Sequence, residues 1–195
     1  MKTVYVTYYV HSTSVYNEKH RMAGWRDVPL SELGKRQSLD LARIVKRKRF
    51  DAVFSSDLSR ALDTANVAFG DRYRIKTDKR LRECDYGKMA GKSSEMLDSA
   101  EEMIIRIDER FPGGESYRDV EHRIRSFIGY LCRNYSGKRI AIVSHQAPQL
   151  SFEVITEGKG WKEAIRSDWR LKDKVRDKSG SLPGWRPGWK YTIIA

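Results

Sequence analysis

The sequence predicts an α/β protein, a three-layer α/β/α sandwich around a mostly parallel central sheet. Apolar, β-branched segments of strand length alternate with segments of helix length along most of the chain. Hairpin signals between the strands are few, which favours crossover connections and helices on both faces of the sheet. Two of the strand-like segments each end in a histidine, at the carboxyl end where parallel sheets bind their ligands.

The first strand is predicted from Thr3 to Val10, a run rich in valine, tyrosine and threonine. A polar and irregular stretch follows it as far as Pro29. Ser31 is expected to cap a helix through residues 31–49, because a serine hydroxyl can accept from the free N–H groups of a first turn. The apolar residues expected near one face of this helix are Leu33, Leu41, Ile44 and Val45.

The middle of the chain continues the alternation. A short strand is predicted over residues 50–56, and Asp57 is expected to open the helix that follows it. Residues 72–84 are expected to form an extended segment that leads into a loop. Two further helices, Ser94 to Arg110 and Ser116 to Asn134, are separated by the helix-breaking sequence FPGGE.

The segment KRIAIVSH, residues 138–145, is the clearest strand, and the helix after it carries Pro148 near its first turn. Beyond residue 156 the composition becomes charged and tryptophan-rich, and it ends in a predicted strand, WKYTII. We expect residues 1–195 to form a single domain, with the divergent, basic segment 156–195 packed on it.

The charge balance favours anionic partners. Of 195 residues, 38 are lysine or arginine and 26 are aspartate or glutamate, a formal net charge of +12. Such a balance attracts nucleic acid, phosphorylated metabolites or acidic membrane surfaces, and its sign alone does not choose among them. No apolar run approaches a membrane span, and the first residues show no signal-peptide h-region with a small-residue cleavage site, so neither is expected. Cys84 and Cys132 are isolated and lack metal-ligand spacing, so we expect a reduced, cytoplasmic protein without a metal.

Two basic segments raise a nucleic-acid interpretation. Residues 43–49 (RIVKRKR) are rich in cations, but cations at the end of a helix complement its dipole and stay in solvent. The C-terminal segment interleaves tryptophans with basic residues, as single-strand binders do. We favour packing of Trp161 and Trp169 on the domain, with Trp185 and Trp189 flanking a Pro/Gly turn. Nucleic acid is therefore not the expected partner.

Four residues offer the chemistry that phosphoryl transfer through a histidine requires. A neutral imidazole must attack phosphorus, cationic groups must hold the phosphate oxygens, and an acid must protonate the leaving oxygen. The candidates are His11 after the first strand, Arg60 in SSDLSRALDTA, Glu83 in LRECDYG and His145 after IAIVS. Backbone N–H groups just past His145 would add affinity for an anion. Taken singly, each residue also has an ordinary interpretation. Either histidine could simply close a strand, Arg60 could be a solvated arginine, and Glu83 could form a surface ion pair with Arg82 or Arg80.

Five motifs in register make the chain resemble the histidine phosphatase superfamily, also called the phosphoglycerate mutase-like family. They are AGWRDVPLSELGKRQ (23–37), FSSDLSRALDTA (54–65), LRECDYGKMAG (81–91), FPGGESYRDVEHR (111–123) and IAIVSHQAP (140–148). The match spans residues 3–155, and five motifs in order are far more specific than any single one. The C-terminal residues match only loosely.

The resemblance implies a two-step mechanism that needs no metal or other cofactor. It makes His11 the residue that takes the phosphoryl group, while Arg60 and His145 grip the phosphoryl oxygens with Asn17 nearby as a further donor. Glu83 would protonate the leaving group and then activate the attacking water. Family members also commonly contact substrate at the motif positions that correspond to Tyr86 and to the backbone around Ala23 and Gly24.

The chain departs from the family pattern at two positions. Where the family has Arg-His-Gly, this chain has Val10-His11-Ser12, and the missing arginine is normally one of two that cradle the phosphate. One charged hydrogen bond contributes roughly 1.5–3 kcal/mol, so its loss would lower affinity or rate by one to two decades. Ser12 and its neighbouring hydroxyls, or Arg21, could partly replace it. Gln146 stands where glycine is usual after the second histidine, and adds a side chain that could contact substrate.

The sequence therefore predicts a phosphatase that hydrolyses phosphate monoesters, with a small phosphorylated substrate and no membrane partner. A mutase of the same family is one alternative, although the stretch from residue 91 to residue 111 is short for the insertion that mutases carry. A non-catalytic phosphate- or polyanion-binding protein is the other. The oligomeric state stays open, with a homodimer as one expectation.

Overall fold

The computed structural model describes residues 3–97, 99–172 and 188–194. Five strands form one sheet in the order β3-β2-β4-β1-β5. They are β1 (Thr3–Val10), β2 (Ala52–Ser55), β3 (Ile75–Thr77), β4 (Arg139–Ser144) and β5 (Trp189–Ile194). All pairings are parallel except the antiparallel pairing of β5 with β1. The predicted mostly parallel α/β sheet is confirmed.

Helices cover both faces of the sheet. They are α1 (Val15–Glu18), α2 (Glu32–Val45), α3 (Ser59–Phe69), α4 (Ala100–Ile105), α5 (Tyr117–Asn134), α6 (Gln146–Glu157), α7 (Trp161–Ser167) and α8 (Trp169–Lys172). Along β1 the side chains alternate, so that Val6 and Tyr8 face the core under α5 and α6, and Tyr9 faces the core under α2 and α3. No helix in the described ranges is long and apolar enough to cross a membrane.

Several element boundaries follow the predicted physical signals. The Ser31 hydroxyl caps α2 by accepting from the Gly34 N–H at 3.1 Å, and Ser116 caps α5. A Cβ on Gly34 would lie 1.9 Å from the Thr13 carbonyl oxygen. The start of α2 therefore packs directly on the backbone that follows His11, which only a glycine allows.

Three local predictions are wrong. Ile44 is 45% exposed, because the buried stripe of α2 runs through Leu41 and Val45 and Ile44 lies off it. Asp57 does not cap α3, which begins after Leu58 without a side-chain cap. Asp57 instead pairs with Arg82 at 2.7 Å.

The long helix predicted from Ser94 to Arg110 is also interrupted. A 3₁₀ turn, Glu95–Leu97, precedes the six-residue α4. Ser99 caps α4 by accepting from the Glu102 N–H, so the helix starts afresh at that serine.

The C-terminal segment contributes both to the core and to the sheet. Trp161 is 5% exposed and stacks on Tyr117 with ring centroids 5.5 Å apart. Its indole N–H donates to a carboxylate oxygen of Glu121 at 2.6 Å. β5 adds the antiparallel edge strand. The predicted packing of Trp185 and of the Trp169 side chain falls outside the described part of the chain.

Candidate active site

The two histidines meet because β1 and β4 are neighbours and run parallel. Val10 is the register partner of Ser144, so the next residue on each strand is a histidine at the same edge of the sheet. The rings of His11 and His145 lie 5.0 Å apart, centroid to centroid, with 61° between their planes. The His11 N–H donates to the Ser144 carbonyl at 2.9 Å, which ties the two strand ends together.

His11 is presented as a neutral imidazole with one free nitrogen. Its Nδ1 lies 2.7 Å from the Ser12 carbonyl oxygen. A carbonyl can only accept, so Nδ1 carries the hydrogen and the lone pair is on Nε2. Burial, and then the charge of Arg60, lower the pKa of His11 to about 3. The ring is therefore uncharged near neutral pH, as a nucleophile requires.

His145 is fully buried, and both of its ring nitrogens lack a hydrogen-bond partner within the described residues. Burial lowers its pKa well below the ordinary value, with smaller contributions from Arg60 and His11. The Tyr8 hydroxyl donates to its backbone carbonyl at 2.9 Å and fixes its place before α6. Buried polar atoms normally have partners. A ligand with oxygen acceptors would supply a partner for the ring N–H of His145.

Arg60 projects from the first turn of α3 and is 1% exposed. Its guanidinium donates to the carbonyl oxygens of Arg26 at 3.1 Å and Gly24 at 2.8 Å. Within the described ranges no carboxylate forms an ion pair with it. A buried, permanently charged guanidinium with N–H groups to spare is suited to hold an anion.

Glu83 is held by three backbone N–H groups. Oε1 accepts from Cys84 at 2.9 Å and from Ala147 at 3.0 Å, and Oε2 accepts from Gln146 at 3.1 Å. This corrects one expectation, because the N–H groups that follow His145 are already occupied by this carboxylate. They orient Glu83 beside the histidines instead of binding the anion directly.

One cavity of about 210 Å³ gathers most of the predicted site. The predicted residues that line it are His11, Asn17, Ala23, Gly24, Arg60, Glu83, Tyr86 and Gln146. Gly24 has φ +55°, and a Cβ there would lie 3.0 Å from the Tyr86 nitrogen. The close approach of these two segments, which narrows the cavity, therefore requires glycine.

Ser12 does not lie in the cavity. It is fully buried, its N–H donates to the Thr64 hydroxyl at 3.0 Å, and its own hydroxyl accepts from Ser38 at 2.9 Å. These bonds join the end of β1 to α2 and α3. The hydroxyl is committed to the scaffold, which removes it as a substitute for the missing arginine.

The replaced motif residue, Val10, packs its partly buried side chain against the core. The cations that line the cavity are Arg60 and Arg21. Arg21 makes no side-chain hydrogen bond or ion pair among the described residues, and its backbone bridges to Ser93.

The cavity wall formed by Ser94 and Leu97 was not anticipated from the sequence. Backbone bonds from Ser94 to His20 at 2.8 Å and from Met22 to Lys92 at 3.0 Å hold this segment in place. A contact between two loops leaves no periodic signal in the sequence. The break before α4 is the feature that lets this segment turn toward the site.

Gln146 connects the site to the C-terminal helices. Its side-chain amide donates to the Asp168 carboxylate at 2.6 Å. The Arg170 guanidinium donates to both oxygens of the same carboxylate, each at 3.0 Å. The Asp168 side chain is 1% exposed. No group of three side chains able to hold a metal ion occurs in the described ranges.

The fold and this group of side chains define a class of protein: an α/β sandwich whose paired histidines, arginine and glutamate meet at the carboxyl end of a parallel sheet. A family model of the histidine phosphatase superfamily, branch 1, matches residues 10–153. The chain belongs to that superfamily.

The relatives that the chain resembles act on phosphate esters according to their names. It is 36% identical over 134 residues to the fructose-2,6-bisphosphatase TIGAR of Xenopus tropicalis, covering 63% of this chain and 48% of that protein. It is 39% identical over 120 residues to a glucosyl-3-phosphoglycerate phosphatase of Mycolicibacterium vanbaalenii, covering 58% and 53%. The chain thus spans about half the length of these two relatives.

Solved structures agree on the fold. A mycobacterial glucosyl-3-phosphoglycerate phosphatase superposes with a TM-score of 0.74 at 26% identity, covering 86% of this chain and 85% of that one.

Probable phosphoglycerate mutases are also among the sequence relatives. The chain is 32% identical over 142 residues to that of Cronobacter sakazakii, covering 69% of this chain and 66% of that protein. Phosphatase and mutase activities therefore both occur among proteins similar to this chain.

Proposed function

We propose that this protein is a metal-independent phosphatase that hydrolyses phosphate monoesters through a phosphohistidine on His11. One observation carries the proposal. His11, Arg60 and Glu83 line a single small cavity, and the unpartnered ring of His145 lies 5.0 Å from that of His11. A nucleophile, a cation and a carboxyl group thus converge on a volume the size of a phosphate and its ester group.

Binding begins with the phosphate oxygens. Arg60 uses two of its N–H groups on backbone carbonyls and keeps others for the ligand. The Asn17 side-chain carbonyl accepts from Ser14, so its amide hydrogens are left for the cavity that it lines. His145, which stays neutral, donates from the nitrogen that carries its hydrogen. Arg21 adds charge at the rim.

In the first step the Nε2 lone pair of His11 attacks phosphorus and the bond from phosphorus to the ester oxygen breaks. The Ser12 carbonyl, bonded to Nδ1, supports the positive charge that develops on the ring. A protonated Glu83 gives its hydrogen to the leaving oxygen, which departs as an alcohol. The phosphoryl group is then on His11 and Glu83 is a carboxylate.

In the second step water attacks the phosphoryl group. Glu83 takes a proton from that water, the bond from nitrogen to phosphorus breaks, and inorganic phosphate forms. Glu83 regains its hydrogen and His11 its lone pair, so the protein returns to its starting state. Three N–H donors hold the carboxyl group in one position for both transfers.

Hydrolysis is preferred to mutase activity because little chain is available to enclose a bisphosphate. Between Gly91 and Phe111 the described residues form one 3₁₀ turn and the six-residue α4. This segment contributes only Ser94 and Leu97 to the cavity wall, which is too little to enclose a second phosphate group. This supports a small phosphorylated metabolite as substrate.

A reduced, cytoplasmic location belongs to the same proposal. Cys84 and Cys132 are free and buried in the core, and they are far apart in the sequence. Neither thiol is placed to serve as a disulfide staple at the surface. We further propose that residues 1–195 act as one domain, with β5 completing the sheet that presents His11.

The test is phosphate release by the full chain in the presence of a chelator. An aryl phosphate serves as the generic substrate, followed by a panel of phosphorylated sugars, glycerates, amino acids and nucleotides. We expect His11→Ala to abolish release, while His122→Ala, a matched change at an exposed histidine on α5, leaves it unchanged. Equal release by the wild-type protein and His11→Ala would contradict the proposal.

A further inference from the structure

A second cavity, of about 480 Å³, lies away from the candidate active site on the β1–β5 part of the sheet. Its floor is formed by side chains on one face of β1 and β5. The strand register pairs Tyr5 with Thr192 and Thr7 with Lys190 on that face. This is the face that α2 and α3 cover, but within the described residues their core includes side chains of β1, β2, β3 and β4 and none of β5. The floor residues on β1 precede His11 by roughly 13–20 Å of extended chain.

The lining of this cavity is strongly positive. Five cationic side chains reach it from three separate parts of the fold: the turn after α2, the start of β4 and the start of β5. They are Arg47, Lys48, Arg49, Arg139 and Lys190. No aspartate or glutamate is among the lining residues. The three segments are far apart in the sequence, so it is the fold that brings these cations together.

These charges are not neutralised within the described protein. Arg47, Arg49, Arg139 and Lys190 form no ion pair there. The Lys48 ammonium lies 3.4 Å from the Tyr9 hydroxyl and 5.6 Å from the centre of its ring. Burial, and then repulsion from Lys190, lower the pKa of Lys48. Like charges held this close repel one another, and an anion between them would relieve the repulsion.

The acidic residue that follows the lining segment is already engaged. The Asp51 carboxylate accepts from the Arg139 backbone N–H at 2.7 Å and lies 3.5 Å from the Lys138 ammonium. Its charge offsets part of the positive charge at the start of β4, where Arg139 lies, but among the described residues it forms no ion pair with the cations of the other two segments. The cavity therefore keeps its positive potential.

An exposed aromatic ring accompanies the cations. Tyr5 is 51% exposed, and on the sheet it lies between Arg139 on one side and Thr192 on the other. A flat ring beside cations is the combination that binds a base and its phosphates. One exposed ring and a volume suited to a single small ligand favour one nucleotide over a strand.

The geometry points to a binding site for a nucleoside di- or triphosphate in this cavity, separate from the active site. The phosphate chain lies against Arg47, Lys48 and Lys190, and the base lies on the ring of Tyr5. The site goes beyond phosphate-ester hydrolysis, and its occupancy does not depend on His11.

The experiment measures binding of a fluorescent ATP analogue, displaced by ATP, to the full chain carrying His11→Ala, which prevents turnover. Charge reversal in Lys48→Glu/Lys190→Glu is expected to weaken binding at least about tenfold, since each charged contact contributes more than a kcal/mol. Tyr5→Ser should weaken it by a smaller factor. Lys162→Glu/Arg166→Glu, with the same change in net charge on exposed positions of α7, is the matched control and should bind normally.

Loss of binding in Arg60→Ala with retention in Lys48→Glu/Lys190→Glu would overturn the inference, because the nucleotide would then occupy the active site. So would equal competition by tripolyphosphate and ATP with no effect of Tyr5→Ser, or much tighter binding of single-stranded RNA. Circular dichroism checks that each variant folds, and Lys48→Gln/Lys190→Gln repeats the test with a milder change. Failure here leaves phosphate-ester hydrolysis untouched, because that is measured separately.

Discussion

Restoring the missing motif arginine tests how the phosphate is held. In Val10→Arg a guanidinium is added at the end of β1, one residue before His11. Arg21 and Arg60 are the cations that line the cavity, and we propose that Arg21 serves in place of the missing arginine. One charged hydrogen bond to phosphate contributes about 1.5–3 kcal/mol, so kcat/KM for an aryl phosphate should rise roughly 10- to 100-fold.

The same substitution has a cost in stability. Val10 packs against the core, and removing its side chain from that contact costs about 1 kcal/mol, or roughly 2–4 °C in Tm for a chain of this length. Kinetics with an aryl phosphate and inhibition by orthovanadate, a phosphate analogue, measure the gain. Val10→Met is the control, since it extends the side chain without a charge.

Arg21→Ala completes the comparison. It should lower kcat/KM in the wild-type background and have a much smaller effect in Val10→Arg, because the two guanidinium groups then share one task. A folded Val10→Arg whose kcat/KM and vanadate affinity match those of the wild type would refute this reasoning. The phosphate would then bind beyond the reach of residue 10.

Three further predictions address stability and the support of the site. The depressed pKa of His11, about 3, means that the unfolded state binds its proton first as pH falls, so the free energy of unfolding should drop by up to about 2 kcal/mol from pH 7 to pH 5. Urea titrations of the wild type and His11→Asn check this, and parallel curves would contradict it. Gly34→Ala should destabilise the protein by about 2 kcal/mol or more through overpacking, whereas Gly129→Ala, within α5, should not, as thermal melts will show. Asp168→Ala removes the acceptor of the Gln146 amide, so it should release the Gln146 side chain and raise KM with little change in kcat; an unchanged KM in a folded variant would refute the link.

The sequence was sufficient for the parts of the fold and site that depend on local signals. Strand-forming runs defined β1 to the residue and β4 to within one residue at each end, and their parallel pairing brings His11 and His145 together. Serine caps marked the starts of α2 and α5. These features depend on residues that are adjacent in the chain and on the regular spacing of apolar residues, and both can be read from a sequence.

The rest depends on contacts between distant segments. Ser12 looked like a phosphate donor because it follows His11, yet its hydroxyl is bonded to Ser38. The N–H groups after His145 looked free, yet Glu83 occupies them. The basic run at residues 43–49 was expected only to stay in solvent, and its partners in the second cavity, on β4 and β5, lie too far along the chain to signal it.

In the proposed mechanism the phosphoryl group passes through a covalent bond to His11. Rapid quenching of the full chain with an aryl phosphate, followed by peptide mass spectrometry at alkaline pH, measures that bond directly, since phosphohistidine is labile in acid. The mechanism predicts one phosphorylated peptide, carrying residue 11, which is absent in His11→Ala and accumulates in Glu83→Gln because its hydrolysis is slowed. Steady phosphate release with no phosphorylated peptide, or with the phosphate on another residue, would contradict it.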